Sequence, residues 1–137
     1  MSFTSLLDRS LLDHVWGDVA FVAPSTIYVG LSTTPIAKDG TNITEPAVGN
    51  YARVAVTNNL TNWPAATTPT LQSEKQNGEP IEFPEATDSW GEIVDFFFAD
   101  DVMAGDILAF GSLDTPREIV NGDIARFSVE AITIILQ

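Results

Sequence analysis

The sequence predicts an all-β domain: a two-sheet β-sandwich, jelly-roll-like, with one short N-terminal α-helix. Three observations carry this. Apolar–polar alternations of period two recur along the chain, as in "STIYVGLST" and "YARVAVTN". Polar stretches rich in Gly, Pro, Asn and Thr separate them, and roughly six to eight short strands spaced in this way suit two packed sheets. Helical periodicity occurs once, at the start. The 137 residues are the size of one domain, so 1–137 reads as a single β-sandwich unit.

The helix comes first. Leu6, Leu7, Leu11, Leu12, Val15 and Trp16 recur at spacings of three and four, which marks one helical face over 4–16. Thr4 or Ser5 can cap its start, and Asp8, three residues after Ser5, resembles a capping box. Gly17 is placed to end it with positive φ. Such a helix lies across the end of a sheet or against a neighbouring subunit.

Strands follow. Ile27, Val29 and Leu31 alternate against Tyr28, Gly30 and Ser32, a half-buried strand. A long polar connection, 35–50, leads to a second alternation in which Ala52, Val54 and Val56 share a face. A second long loop, 59–79, holds Trp63, and "PIEFP" is a short strand closed by Pro84. In "EIVDFFFAD", strict alternation puts Val94, Phe96 and Phe98 on one face and Ile93, Asp95, Phe97 and Ala99 on the other. A strand apolar on both faces is either central and covered twice or part of a subunit contact. Asp100, Asp101, Gly105 and Asp106 supply turn chemistry, and "DILAFGSL" returns after a loop of about five residues. Asn121–Gly122 is a hairpin-type turn signal. In "ARFSVEAITIILQ" the apolar parity shifts near Glu130–Ala131, which predicts a bulge or a strand buried on both faces.

Charge and composition exclude several functions. Six basic and 19 acidic residues give a net charge of −13, which disfavours nucleic acid and anionic membranes. No apolar run approaches a membrane span, about 18 residues. The N-terminus, with Asp8 and Asp13 among its leucines, does not read as a signal peptide. Cysteine is absent, so no disulfide or thiolate site forms, and a reducing cytoplasm suits the chain.

Chemistry-bearing patterns are equally thin. His14 is the only histidine, which with no cysteine argues against a zinc site. No G-x-S-x-G or Gly-rich phosphate cradle occurs. Asp95, Asp100 and Asp101 come nearest to a carboxylate pair for glycoside hydrolysis, and Asp100, Asp101 and Asp106 to a calcium loop. Among 19 acids such proximity arises by chance, so no catalytic, cofactor-binding or metal-binding residue is assigned. Trp63 and Trp90 sit beside turn residues, as plugs at one end of the sandwich, as interface anchors, or as platforms for sugar in a carbohydrate-binding module. The candidate interface residues are Leu7, Leu11, Trp16, Trp63, Trp90 and Phe97.

The motifs "LLDHVWG", "IYVGLSTTP", "EPAVGNYARVAV", "NWPAA", "IEFPEATDSWGEIVDFFFAD", "GDILAFGSL" and "IVNGDIARFSVEAITIIL" occur in that order across about residues 6–137. Together they resemble a family of small tailed-bacteriophage virion structural proteins, often labelled tail fibre proteins and similar in size and β-rich design to capsid decoration (cement) proteins. Glu130 stands where the resemblance leads one to expect a small residue or glycine. The resemblance implies a non-enzymatic virion protein made in the bacterial cytoplasm, with no catalytic residue and no cofactor. Capsid decoration, bracing the head by binding the major capsid protein or other virion proteins, is the first expectation, and a tail fibre or tail-associated role is the second. A symmetric homo-oligomer, a dimer or trimer, is expected in either place. Exposed loops 33–50 and 59–79 would carry recognition in the tail role.

Overall fold

The fold is that of a computed structural model, which describes residues 1–136. In chain order the elements are β1 (Ser2–Phe3), α1 (Ser5–Gly17), β2 (Thr26–Ser32), β3 (Val54–Thr57), β4 (Ser73–Gln76), β5 (Ile81–Glu82), β6 (Gly91–Ala99), β7 (Ile107–Ile119), β8 (Arg126–Phe127) and β9 (Thr133–Leu136). Five strands form one antiparallel sheet in the order β1-β7-β6-β2-β3, while β4 pairs with β9 and β5 with β8 as two short ribbons.

The all-β, sandwich-like expectation holds, with the second layer divided into ribbons. Pro80 and Pro84 bracket β5 and cannot donate to a ladder, which keeps that strand to two residues. The parity shift near Glu130 is neither a bulge nor a doubly buried strand. Glu130 sits at φ 62, and the chain turns there between β8 and β9. The Asn121–Gly122 turn forms, with Gly122 at φ 92, but the strand after it pairs with β5 and not back onto β7.

Ribbons and sheet share one core. Val29 and Leu31 of β2 and Phe96 and Phe98 of β6 pack with Ile81, Phe83 and Ile132, and Phe127 and Ile134 close the cluster from the ribbon side. The opposite face of β6 carries Phe97 and Ala99 under Ile36 and Ile43 of the 33–50 loop. The triple phenylalanine therefore marks a central strand covered twice. One detail of its alternation is corrected: Ile93, not Val94, joins Phe96 and Phe98. Ile93 pairs with Arg117 whereas Asp95 pairs with Ser112, and this bulge resets the parity of β6 while residues 113–116 stand out of the β7 ladder.

Phe97 is fully buried, and its cross-strand partner is Gly30. A Cβ at Gly30 would lie 2.6 Å from Cε1 and 2.7 Å from Cε2 of that ring. Gly30→Ala is expected to destabilise the fold by about 3 kcal/mol, near the upper end of overpacking costs, read as a lowered urea midpoint with unchanged slope. An unchanged midpoint would mean that the ring does not lie over this glycine.

Candidate functional site

α1 is held at its base and bare on its outer side. Thr4, fully buried, is the N-cap. Its Oγ1 donates to Ile107 O at 2.6 Å and accepts from Leu7 N at 3.4 Å, while its N–H donates to Leu108 O at 2.9 Å. Ser5 is thus not the cap; its N–H donates to Lys38 O. The Asp8 carboxylate pairs with Lys38 at 2.6 Å and does not close a capping box. At the other end the left-handed residue is Asp18, at φ 54, and not Gly17; Asp tolerates this region because its short polar side chain adds little steric cost. His14 holds the exit segment: Phe21 N–H donates to its Nδ1 at 3.3 Å, and Val19 O lies 3.0 Å from the same nitrogen.

No residue of the helix is buried. Leu7 and Leu11, four apart, lie half-buried on the side towards the sheet, and Leu7 lines a small cavity with Phe3, Trp63 and Phe98. Leu12, Val15 and Trp16, at i, i+3 and i+4, lie on the outer side of the helix, and Trp16 is 80% exposed. Val19 and Val22, 56% and 85% exposed, lie in the segment that follows the helix. The apolar positions read from the sequence as one face are therefore two adjacent stripes, one against the sheet and one in solvent. Val19 and Val22 lie past the helix end, where helical spacing gives no signal for them. Arg9 and Asp13, both exposed, flank Trp16 on the helix.

The other interface candidates are core residues. Trp63, Trp90 and Phe97 are 4%, 3% and 0% exposed. Trp90 donates from Nε1 to Gly49 O at 2.8 Å and packs edge-on against Tyr51. Trp63 packs edge-on against Phe98, and its Nε1–H has no partner among the described residues. Neither indole offers a face to a partner or to a sugar; the apolar bulk that suggested anchors is used inside the chain.

A second ordered feature joins the loops. Arg53 forms a bidentate pair with Glu45, at 3.0 and 2.8 Å, and its Nη1 donates to Asp101 O and Ala104 O. Its guanidinium lies 4.9 Å from the centre of the Phe97 ring. Tyr51 donates to Glu45 at 2.7 Å and accepts from Leu31 N at 2.9 Å. Burial pushes the Tyr51 hydroxyl well above its ordinary pKa; the Leu31 N–H opposes this and the Glu45 carboxylate adds to it. The bond to Glu45 raises Arg53 against the desolvation that lowers it. This hub ties the 33–50 loop and the hairpin loop 100–106 to the core.

In that hairpin Asp100 Oδ1 accepts from Asp106 N at 2.7 Å, and Asp101 Oδ1 accepts from Val102 N at 2.6 Å. These carboxylates shape a turn, and among the described residues no three acidic or histidine side chains form a metal-ligand group. Asp95, 4% exposed, accepts from Ile36 N at 2.7 Å and pins the 33–50 loop over Phe97. Among the described residues no helix is long and apolar enough to cross a membrane.

A protein-family model described as "Podophage GP4 fiber I protein gp80" matches residues 2–135. The chain belongs to this family. It is accordingly a bacteriophage virion structural protein of fibre type, as the motif resemblance implied. No curated protein matches the chain.

Proposed function

We propose that the chain is a non-enzymatic structural subunit of a podophage tail fibre, and that it attaches to another virion protein through the outer strip of α1. The observation that carries this is a rigidly based helix with no buried residue and with Leu12, Val15, Trp16, Val19 and Val22 in solvent. Contiguous exposed apolar surface on a folded domain marks an interaction site. Burying such side chains contributes about 1.5–3 kcal/mol each for Val or Leu, and an aromatic anchor adds more.

The family description favours the fibre over the head, reversing the order of the two expectations from sequence. Quantitative mass spectrometry of purified virions separates them: a fibre subunit appears at the copy number of the tail, a decoration protein at that of the shell's repeating units. Trp16→Glu, on a side chain that supports nothing in the fold, is expected to leave the thermal midpoint of the purified protein within about 1 °C. It should also remove the protein from particles assembled with the variant alone. Virions that retain Trp16→Glu at full copy number would exclude the strip as the attachment surface.

A further inference from the structure

The β6–β7 hairpin, the longest in the fold, carries a projection at one end and a groove at the other. The projection is the 100–106 turn. Its tip exposes Asp100 and Asp101 beside Val102, 51% exposed, and Met103, 77% exposed. Arg53 fixes it by binding two of its carbonyls, and Gly105 at φ 72 shapes it. The groove, of about 560 Å³, lies at the far end of the hairpin, between residues 113–119 and 123–127. Leu113, Ile119 and Phe127 line its apolar part, and Arg117 and Arg126 are charged groups of its rim. Ile93, beside the groove, and Ala99, where the projection begins, are six residues apart on β6, or about 20 Å.

The two arginines stand out in this acidic chain. Of its six basic residues, Lys38 and Arg53 pair with acids and Lys75 Nζ donates to Pro64 O. Arg117 and Arg126, like Arg9 on the helix, make no side-chain bond or ion pair among the described residues. Asp114, Glu118 and Asp123 line the same groove, so its attraction for an anion is short-ranged and depends on direct guanidinium–carboxylate contact. Asp123 is already engaged, accepting from Val120 N at 3.0 Å.

We infer that the groove receives the 100–106 projection of a second copy of this chain, Met103 and Val102 entering the apolar part while Asp100 and Asp101 meet Arg117 and Arg126. One oxygen of each aspartate is held by the turn, so the projection is ordered before it binds, which lowers the entropic cost of association. Two copies exchange both contacts about a two-fold axis as a closed dimer, or pass the contact head to tail into a ring or filament. The inference rests on the structural-subunit reading above and names a partner for a surface other than the α1 strip.

Complementation between two broken copies tests it. All proteins carry Trp16→Glu, so that association through the helix does not contribute. Met103→Glu spoils the projection and Arg117→Glu with Arg126→Glu spoils the groove; all three positions are exposed, and circular dichroism checks the fold. Sedimentation equilibrium is expected to show concentration-dependent oligomers for the background protein and monomers for each variant alone. An equimolar mixture should give a dimer that grows no further, since it retains one intact projection and one intact groove. A background protein that stays monomeric up to about millimolar concentration, or a mixture that stays monomeric when the background associates, overturns the inference. If the glutamates unfold the chain, Arg117→Gln with Arg126→Gln gives the same readout. None of these outcomes depends on where in the virion the chain is found, so this contact and the fibre assignment fail separately.

Discussion

Asn77→Leu is expected to cost about 3–5 kcal/mol, a large part of the stability of a domain this size. Asn77 is 1% exposed, yet no sequence pattern draws attention to it. Its Nδ2 donates to Glu79 O at 2.9 Å and Ser128 O at 2.8 Å, and its Oδ1 accepts from Ile132 N at 2.8 Å. Its own carbonyl accepts from Glu130 N at 2.8 Å, where the chain turns with positive φ. One side chain thus joins the end of β4 to the turn that starts β9. Leucine fills the space but leaves the Ile132 N–H buried without an acceptor. The thermal midpoint should fall by more than about 10 °C.

Asn77→Asp separates hydrogen bonding from shape. The carboxylate still accepts from Ile132 N but faces two carbonyls to which it cannot donate. Its folded pKa is therefore raised above the unfolded value of about 3.9. A group so raised contributes stability below the unfolded pKa and loses it as pH rises. The deficit relative to the parent protein should be small near pH 3 and grow towards neutrality. A deficit independent of pH would show that the two carbonyls do not face this side chain.

Arg53→Met is the second large effect, expected at about 2–4 kcal/mol. Breaking a buried pair costs about 3–5 kcal/mol, and partial exposure of Glu45 reduces this. The Arg53 side chain is 6% exposed, so methionine can fill its path over Phe97. What it cannot replace is the bidentate bond to Glu45 or the two bonds to the 100–106 turn. Hydrogen exchange should therefore accelerate in that turn more than in β6, and association through the projection should weaken. Uniform acceleration across the chain would assign Arg53 a global role only.

Much of this fold is legible in local pattern. The alternation of Ile27, Val29 and Leu31 gives β2, and the spacing from Leu6 to Trp16 gives α1, because each depends on neighbours in sequence. What was not legible depends on pairing at a distance. The place of Ile93 follows from the excursion of β7 at 113–116, which nothing in "EIVDFFFAD" encodes. β4, "SEKQ", carries no apolar signal of its own; its partner β9 supplies the apolar side chains. The same separation governs the candidate surface. Trp16 and Trp63 are chemically alike in sequence, and tertiary packing decides between them: Trp63 lies in the core against Phe98, and Trp16 reaches solvent. Arg117 and Arg126 become a pair only because β7 and β8 flank one groove.

A density map of the intact podophage tail, at a resolution that traces side chains, tests the central claim most directly. The account predicts this chain within a fibre, with Leu12, Val15, Trp16, Val19 and Val22 covered by a neighbouring protein. A chain seated on the head shell, or one in the fibre whose α1 strip faces open solvent, would contradict it.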